Sequence, residues 1–565
     1  MKKIALLLLS IFLFVECTQA PLKSNKIKRG LMAKNAMVVC ARPESAAIGV
    51  NIMKQGGNAF DAMIATHLAL AVSYPFAGNL GGGGFMVYRT KDGKTGALDF
   101  REKAPLAATK DMYLDKKGNV IKGKSILGAM AVGVPGSIAG LFRVHEKFGS
   151  LPFTKLIQPA IDLAKRGVVV TKKQAKSMAH YRNLFAKAND HTIFLDKEWH
   201  EGDTIKYAQL AKTLERIRDN GEAEFYKGKT ADMLVNYVKK LGGIITKKDL
   251  ELYKAQWRKA IEFTYKDLKV ISMSPPSSGG ICEAQIFKAI EPYDIASYGH
   301  NSVKAIQLIT EAERRAFADR SFFLGDPDFV RIPIDTLISA QYAQRRMANF
   351  SWDKATSSAD VAHGNIIGYE SDETTHYSIV DKMGNAVAVT TTLNGAFGSK
   401  VFVSEGGFFL NNEMDDFSSK PGTPNMFGLI GAKANSIKPQ KRMLSSMTPT
   451  VVERNGKLFM VLGAPGGSTI ITSVMQTILN VSEFKMGMQE AVNAPRFHHQ
   501  WLPDLVIFEP KGFDSLLIKQ LQDKGYKINQ GRTRIIGKVD AILSLPNGTL
   551  EGGADYRGDD SAAGY

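Results

Sequence analysis

Two threonines in a hairpin are, by type and spacing, the residues of this chain best placed to do chemistry. Glu373-Thr374-Thr375-His376-Tyr377-Ser378-Ile379-Val380 reads as a β-strand, Asp381-Lys382-Met383-Gly384-Asn385 as a turn, and Ala386 to Leu393 as the returning strand. A turn of those five residues sets Val380 opposite Ala386 and therefore Thr374 opposite Thr392. Directly opposed side chains have Cβ atoms roughly 4.5–5.5 Å apart. Asn394 lies two residues beyond Thr392 and shares its face. Such a pair is suited to nucleophilic attack by one hydroxyl, once a base takes its proton. Two conditions stand against that. A one-residue change in the turn would flip the register, and threonine in strands also serves as plain β-branched filler.

A second hairpin brings in backbone donors. Thr450 to Glu453 and Leu458 to Leu462 flank Asn455-Gly456, a strong two-residue turn signal. Pairing Arg454 with Lys457 and extending the ladder sets Ser445-Ser446 beside Pro465-Gly466-Gly467. Pro449 lacks an N–H, so the ladder is expected to fray there. Gly466-Gly467 precede a helix expected from near Ser468 to Asn480. N–H groups at a helix start attract anions, and here they could stabilise a tetrahedral oxyanion. The alternative is an ordinary turn into a helix.

The elements that must carry these residues follow from periodicity. Glu44 to Tyr74 reads as two helices broken at Gly56-Gly57-Asn58, followed by strands Phe85–Arg89 and Gly96–Phe100. The glycine run Gly81-Gly82-Gly83-Gly84 lacks the Lys-Ser/Thr ending of a phosphate loop and precedes a strand, so it indicates close backbone packing. About 133–350 reads as mostly helical, with amphipathic segments at Leu151–Lys165, Ala208–Arg218, Thr230–Leu241 and Val303–Phe322. Strands dominate after Thr374, with a further helix near Asp514–Lys524. Helices around strand pairs predict a layered α/β or α+β body.

Composition narrows the function classes. The 565 residues are 44% hydrophobic and 23% charged, an ordinary globular balance. Residues 1–20 read as a secretory signal, with Lys2-Lys3, an apolar Ile4–Val15 and a small-residue site ending at Ala20. Lipidation at Cys17 is disfavoured by Glu16. The expected location is periplasmic or secreted, with no membrane association of the mature form. The net charge of +18 is spread along the chain, without a zinc finger, an aromatic RNA-binding signature or a basic helical stripe, so no nucleic-acid partner is expected. His498-His499 lack further ligands at zinc spacing and are expected to be structural, with no metal. Cys40 and Cys282 read as buried thiols, a disulfide being the other arrangement open to them.

Longer blocks then carry a resemblance. Thr374-Thr375-His376-Tyr377-Ser378, Asn411-Asn412-Glu413-Met414-Asp415-Asp416-Phe417, Leu444-Ser445-Ser446-Met447 and Pro465-Gly466-Gly467-Ser468 resemble signature blocks of the gamma-glutamyltransferases. So do Gly78 to Gly84, Leu98-Asp99-Phe100-Arg101-Glu102-Lys103-Ala104-Pro105 and the tail Asp559-Asp560-Ser561, and the likeness runs from about Met37 to the C-terminus in the family's order.

The resemblance implies an N-terminal-nucleophile hydrolase, an αββα sandwich formed jointly by two subunits of one precursor after self-cleavage between Glu373 and Thr374. The large subunit is then 21–373 and the small catalytic subunit 374–565. A freed α-amine ordinarily titrates at about 7.7–8.0, so that of Thr374 can act as the base near neutral pH. Thr374 is the implied nucleophile toward glutathione and other γ-glutamyl compounds, without a cofactor. Thr392 is implied as its hydrogen-bond partner, and Gly466 and Gly467 as the oxyanion donors. Arg101, Ser445 and Ser446 are implied to bind the substrate α-carboxylate, and Asn394, Glu413 and Asp416 the α-ammonium and its surroundings. Water, an acceptor amino acid or a peptide resolves the acyl-enzyme. His376 receives no catalytic role.

One departure stands out. The segment from Pro421 to Lys433 resembles the family's loop over the pocket, where many relatives have tyrosine and this chain has Phe427. A phenyl ring cannot donate the hydrogen bond that anchors a closed lid. Hydrolysis should therefore compete well with transfer, and Phe427→Tyr should lower the hydrolysis-to-transfer ratio; an unchanged ratio contradicts this. The alternatives are a related acylase acting on another acyl amide, such as a glutaryl side chain, and a non-enzymatic secreted binding protein. In other contexts Arg101-Glu102 would be a surface pair and Asp415-Asp416 a turn with a helix cap.

Overall fold

A computed structural model of the chain describes residues 29–361, 374–420, 422–426, 428–530 and 535–565. The signal segment 1–20, Glu373 and Phe427 lie outside the described residues.

Two seven-stranded antiparallel sheets stack face to face. The first runs, in spatial order, Ser561–Gly564, Met37–Cys40, Thr375–Val380, Ala386–Thr392, Gly83–Arg89, Thr95–Asp99 and Gln256–Arg258. The second runs Leu31–Ala33, Leu550–Gly553, Asp540–Ser544, Lys457–Gly463, Thr450–Arg454, Leu268–Ser272 and Ile261–Tyr265. Helices Pro43–Lys54 and Ala59–Ser73 belong to one apolar cluster with the outer face of the first sheet. Gly279–Ile290, Val303–Phe323 and Thr469–Ser482 belong to a second cluster with the other sheet. The result is the expected αββα sandwich. Its central strands are buried on both faces, which explains apolar runs such as Phe85-Met86-Val87.

The first hairpin has the predicted register, with Val380 opposite Ala386 and Thr375 opposite Thr391. Thr374 stands one residue before the strand, at the end where the partner strand finishes at Thr392. The second hairpin begins as predicted, Arg454 opposite Lys457, but a bulge between Val452 and Glu453 then shifts the register so that Val452 faces Met460. Phe459 takes up the extra residue, with the Arg454 guanidinium 3.9 Å from its ring centroid. The ladder then ends at Thr450 opposite Leu462, next to Pro449, and Ser445 bridges Ser277 instead, so the pairing extrapolated from Arg454 does not extend to Ser445-Ser446.

Two other expectations need correction. The middle segment is mostly helical as read, but five strands interrupt it: the short pair Val168–Val169 and Thr204–Ile205, then Gln256–Arg258, Ile261–Tyr265 and Leu268–Ser272. Helix Val303–Phe323 is not amphipathic at the surface, because Ala305 through Ser321 are all buried, including Glu311, Glu313, Arg314, Arg315, Asp319 and Arg320. The glycine run does serve close packing: a Cβ on Gly82 would sit 2.1 Å from the Thr392 carbonyl oxygen. Cys40 and Cys282 are buried free thiols. Among the described residues no helix is long and apolar enough to cross a membrane.

His376 is buried between the two sheets, bonded within its own. Its Nδ1 lies 2.8 Å from Thr390 Oγ1 and its Nε2 3.1 Å from Ser378 Oγ, while Gly463 of the facing sheet leaves room for the ring. Burial lowers its pKa to about 3. The folded value is thus below the unfolded one, so the neutral ring's contribution is complete above about pH 6.5 and fades as pH falls toward 3. The stability advantage of wild type over His376→Gln should shrink by about 3 kcal/mol between pH 7 and pH 4. Urea midpoints at the two pH values measure this, and a constant difference would contradict it.

Candidate active site

The loops at one end of the sandwich converge on a small cavity. Its walls include Arg101, Arg320, Thr374, Thr392, Asn394, Asp416, Ser445, Ser446 and Gly467. Residues far apart in sequence thus meet as expected, with two exceptions. Glu413 stands behind Arg101 rather than in the wall, and Gly466 faces a neighbouring, larger cavity. The bounded space is about 20 Å³, room for about one water.

Thr374 is 5% exposed. Thr392 is held from behind: Asn79 donates to its carbonyl at 3.0 Å, and its Oγ1 accepts the Asn394 N–H at 2.7 Å. That bond accompanies a left-handed turn at Asn394, φ 72°, a conformation asparagine tolerates better than most residues. Asn394 Nδ2 donates to the Asn412 carbonyl at 3.0 Å, and the Gly395 N–H donates to Asn412 Oδ1 at 2.8 Å. Asn411 clamps the other side, donating to Gly81 and Gly133 carbonyls at 2.8 and 2.9 Å.

Arg101 follows strand Thr95–Asp99 and is only 1% exposed, so it is no surface residue. Its Nη1 lies 2.7 Å from Glu413, and its Nη2 donates to Asp416 at 2.5 Å. Glu102 stands 3.9 Å from Nη1, with neither carboxylate oxygen hydrogen-bonded among the described residues. Asp415-Asp416 lies in a short 3₁₀ turn, Glu413–Asp416, that aims Asp416 at Arg101. Burial alone would lower the Arg101 pKa; Glu413, Asp416 and Glu102 outweigh it and raise it. Burial pushes all three carboxyls up, and Arg101 pulls each back down. One guanidinium therefore faces three acids that burial and mutual repulsion hold above the ordinary carboxylate range even in its presence.

Ser445 and Ser446 lie beside the Ser277-Ser278 segment, Ser445 accepting Ser278 N–H and Oγ–H at its carbonyl. Ser446 Oγ accepts from Arg320 Nη2 at 3.0 Å, and Arg320 Nε donates to Ser278 at 2.9 Å. Arg320 is a site residue that sequence reading missed. Its only signal is a density of charge in Val303–Phe323 too high for a helix with one solvated face.

Gly466 and Gly467 have φ of +139° and +55°. The Gly466 value is essentially restricted to glycine. Helix Thr469–Ser482 begins just beyond, and its first turn is tied back by Thr469 and Ile470 N–H groups donating to the Gly466 and Gly467 carbonyls. No described residue accepts the N–H of Gly466 or Gly467. The two amides at this helix start are therefore available to an anion.

The histidines sit elsewhere. His498 lies 2.9 Å from both Thr472 Oγ1 and Gln500 Oε1, and His499 3.3 Å from Asp504. Burial, reinforced by Arg314, lowers His499 to about 4. Both are buried in structural networks, and the described residues form no cluster of three or more potential metal-ligating side chains.

Stacked antiparallel sheets between helical layers are the architecture of the N-terminal-nucleophile hydrolases. A cephalosporin acylase from Bacillus halodurans has this architecture with a TM-score of 0.84 and 26% identity, covering 98% of this chain and 99% of its own. The family model for Gamma-glutamyltranspeptidase matches residues 45–565. The Escherichia coli (strain K12) glutathione hydrolase proenzyme is 47% identical over 542 residues, 94% of this chain and 92% of that protein. The acylase ACY 1 proenzyme of Pseudomonas sp. (strain SE83) is 34% identical, with 94% of each chain covered. This chain belongs to the gamma-glutamyltranspeptidase family, and it is an enzyme.

Proposed function

We propose that the chain is a precursor that hydrolyses its own Glu373–Thr374 bond and then acts as a glutathione hydrolase and gamma-glutamyltransferase. The observation that carries this is the meeting of Thr374, Thr392 and Gly467 with Arg101, Asp416, Ser445 and Ser446 around one cavity. Cleavage consumes one water and frees the Thr374 α-amine, absent as a base in the uncut chain. That amine takes the Oγ proton, and Oγ attacks the γ-carbonyl carbon. Gly466 and Gly467 N–H groups hold the oxyanion, and the Thr392 hydroxyl steadies the nucleophile. As the tetrahedral intermediate collapses, the C–N bond breaks, the proton passes to the leaving amine, and a γ-glutamyl ester remains. Water, or the amine of an acceptor amino acid or peptide, attacks that ester and regenerates the hydroxyl.

The charge arrangement suits a free amino-acid end. Arg101 is held by Glu413 and Asp416 before substrate arrives. A substrate α-carboxylate takes the arginine's fork with help from Ser445 and Ser446. Its α-ammonium compensates Asp416, Glu413 and the Asn394 side. The zwitterion exchanges partners without adding net charge. Arg320, through Ser446, orients one serine hydroxyl. Entry requires the Arg101 cluster and the neighbouring Leu429 segment to yield, since the bounded space holds about one water.

Each sheet combines strands that precede Thr374 with strands that follow it, which supports a large subunit, 21–373, and a small one, 374–565, remaining together as a heterodimer. Export after loss of residues 1–20 places the enzyme in the periplasm or outside the cell.

A glutaryl-directed acylase is the second reading, motivated by the acylase relatives. A glutaryl group has a carboxylate for Arg101 but no ammonium for Asp416. Parallel assays with glutathione and a glutaryl amide separate the two: glutathione should be cleaved at least tenfold more efficiently, and the reverse order would overturn the proposal.

A further inference from the structure

Ser468 leads from Gly467 into helix Thr469–Ser482. A serine in that place ordinarily caps the helix by accepting an N–H from its first turn. Here the hydroxyl makes no cap bond. It donates instead to Gln500 Oε1 at 2.7 Å, and the same oxygen lies 2.9 Å from His498 Nε2. His498 Nδ1 in turn lies 2.9 Å from Thr472 Oγ1 in the same helix. Gln500 is buried and lines neither the small cavity nor its larger neighbour. It holds the loop that carries the Gly466 and Gly467 amides from behind.

The next residue fixes Gln500. Trp501 is buried with φ at +70°, a conformation that bulky residues seldom adopt and that persists only where the surroundings impose it. Ser358 does so. Trp501 Nε1 donates to the Ser358 carbonyl at 3.0 Å, and Ser358 Oγ donates to the Trp501 carbonyl at 2.7 Å. Ser358 is itself pinned: its N–H donates to Asp504 Oδ2 at 3.1 Å, and Arg314 Nη1 donates to its Oγ at 2.5 Å and to Asp504 Oδ1. Ser358 and Arg314 precede the proposed cleavage point; Gln500, Trp501 and Asp504 follow it.

We propose that Gln500 is a positioning residue for the oxyanion donors, and that Ser358 sets it through Trp501, so that each proposed subunit holds part of the brace. The inference rests on the proposed oxyanion role of Gly466 and Gly467. Such donors work only when aimed before the reaction, and a misplacement of about 1 Å can cost about 10² in rate. Loss of the brace therefore acts on kcat, while Arg101, Ser445 and Ser446 keep their places on other segments.

Steady-state glutathione hydrolysis, counted per cleaved enzyme by intact mass, tests this. Gln500→Leu should lower kcat by about tenfold with KM nearly unchanged, and Gln500→Glu, which keeps an acceptor for Ser468, should recover most of the loss. A purely structural role would lower the unfolding temperature without separating kcat from KM. Ser358→Ala should lower kcat by about threefold and Ser358→Thr should restore it, and the double variant Ser358→Ala/Gln500→Leu should be no slower than Gln500→Leu alone. An unchanged kcat in Gln500→Leu, a matching change in KM, or additive losses in the double variant would overturn the assignment. Should Gln500→Leu fail to fold or to be cleaved, Ser358→Ala decides, and a wild-type kcat there overturns it. Absence of glutathione turnover by wild type would instead contradict the proposed function on which the assignment rests.

Discussion

Arg101→Ala should reduce kcat/KM for glutathione by about a thousandfold and destabilise the fold by about 3–5 kcal/mol, the usual cost of stranding one side of a buried ion pair. The side chain is 1% exposed and is the cation against which Glu413, Asp416 and Glu102 are set. Their carboxyls already sit above their ordinary range because of burial, despite the opposing pull of Arg101. Removing the guanidinium raises them further. A carboxyl whose folded pKa exceeds its unfolded one favours the folded state at low pH, and that contribution is lost as pH rises through the folded value. The deficit of the variant should therefore widen with increasing pH in urea titrations. Arg101→Lys keeps the charge but loses the bidentate fork, so it should raise KM more than it lowers kcat. Wild-type kcat/KM in Arg101→Lys would contradict the assigned role.

Gly466→Ala should act on kcat, lowering it by about 10²–10³ with little change in KM, the range typical for loss of an oxyanion donor. An added Cβ would meet Thr469 Oγ1 at 2.5 Å and Gly537 Cα at 3.0 Å, on a backbone at φ +139°. The Thr469 side chain can turn aside, but the Gly537 backbone cannot, so the loop and its N–H groups must shift. Arg101, Ser445 and Ser446, the residues proposed to bind the glutamyl end, lie on other segments and keep their geometry. Steady-state kinetics on glutathione measure the split. An unchanged kcat would show that the Gly466 amide does not stabilise the transition state.

The first hairpin was readable because a five-residue turn and strict alternation leave one register, and that register holds from Val380–Ala386 to Thr375–Thr391. The second was readable only to its bulge. No local residue type announces that Phe459 will be passed over; the packing of Arg454 over its ring, a contact within the folded hairpin, accompanies the shift. The strands between Gln256 and Ser272 were missed because two of them alternate weakly within a long helical context. Asp416, Ser445 and Ser446 were reachable through their blocks, and Asn394 through its place two residues beyond Thr392 in the first hairpin. Arg320 was not, since a charged residue on a long helix reads as solvated until neighbouring elements cover that helix. The contact of Glu413 with Arg101, rather than with open cavity, likewise depends on how the 3₁₀ turn meets a strand end hundreds of residues away.

The central claim is that Thr374 is both the cleavage point and the nucleophile. Intact-mass spectra of purified wild type and Thr374→Ala, with glutathione turnover followed on the same samples, test it most directly. Two wild-type fragments, the smaller beginning at Thr374, together with an uncut and inactive variant, are the predicted result. A single uncut wild-type chain that turns over glutathione, or a Thr374→Ala variant that retains turnover, would contradict it.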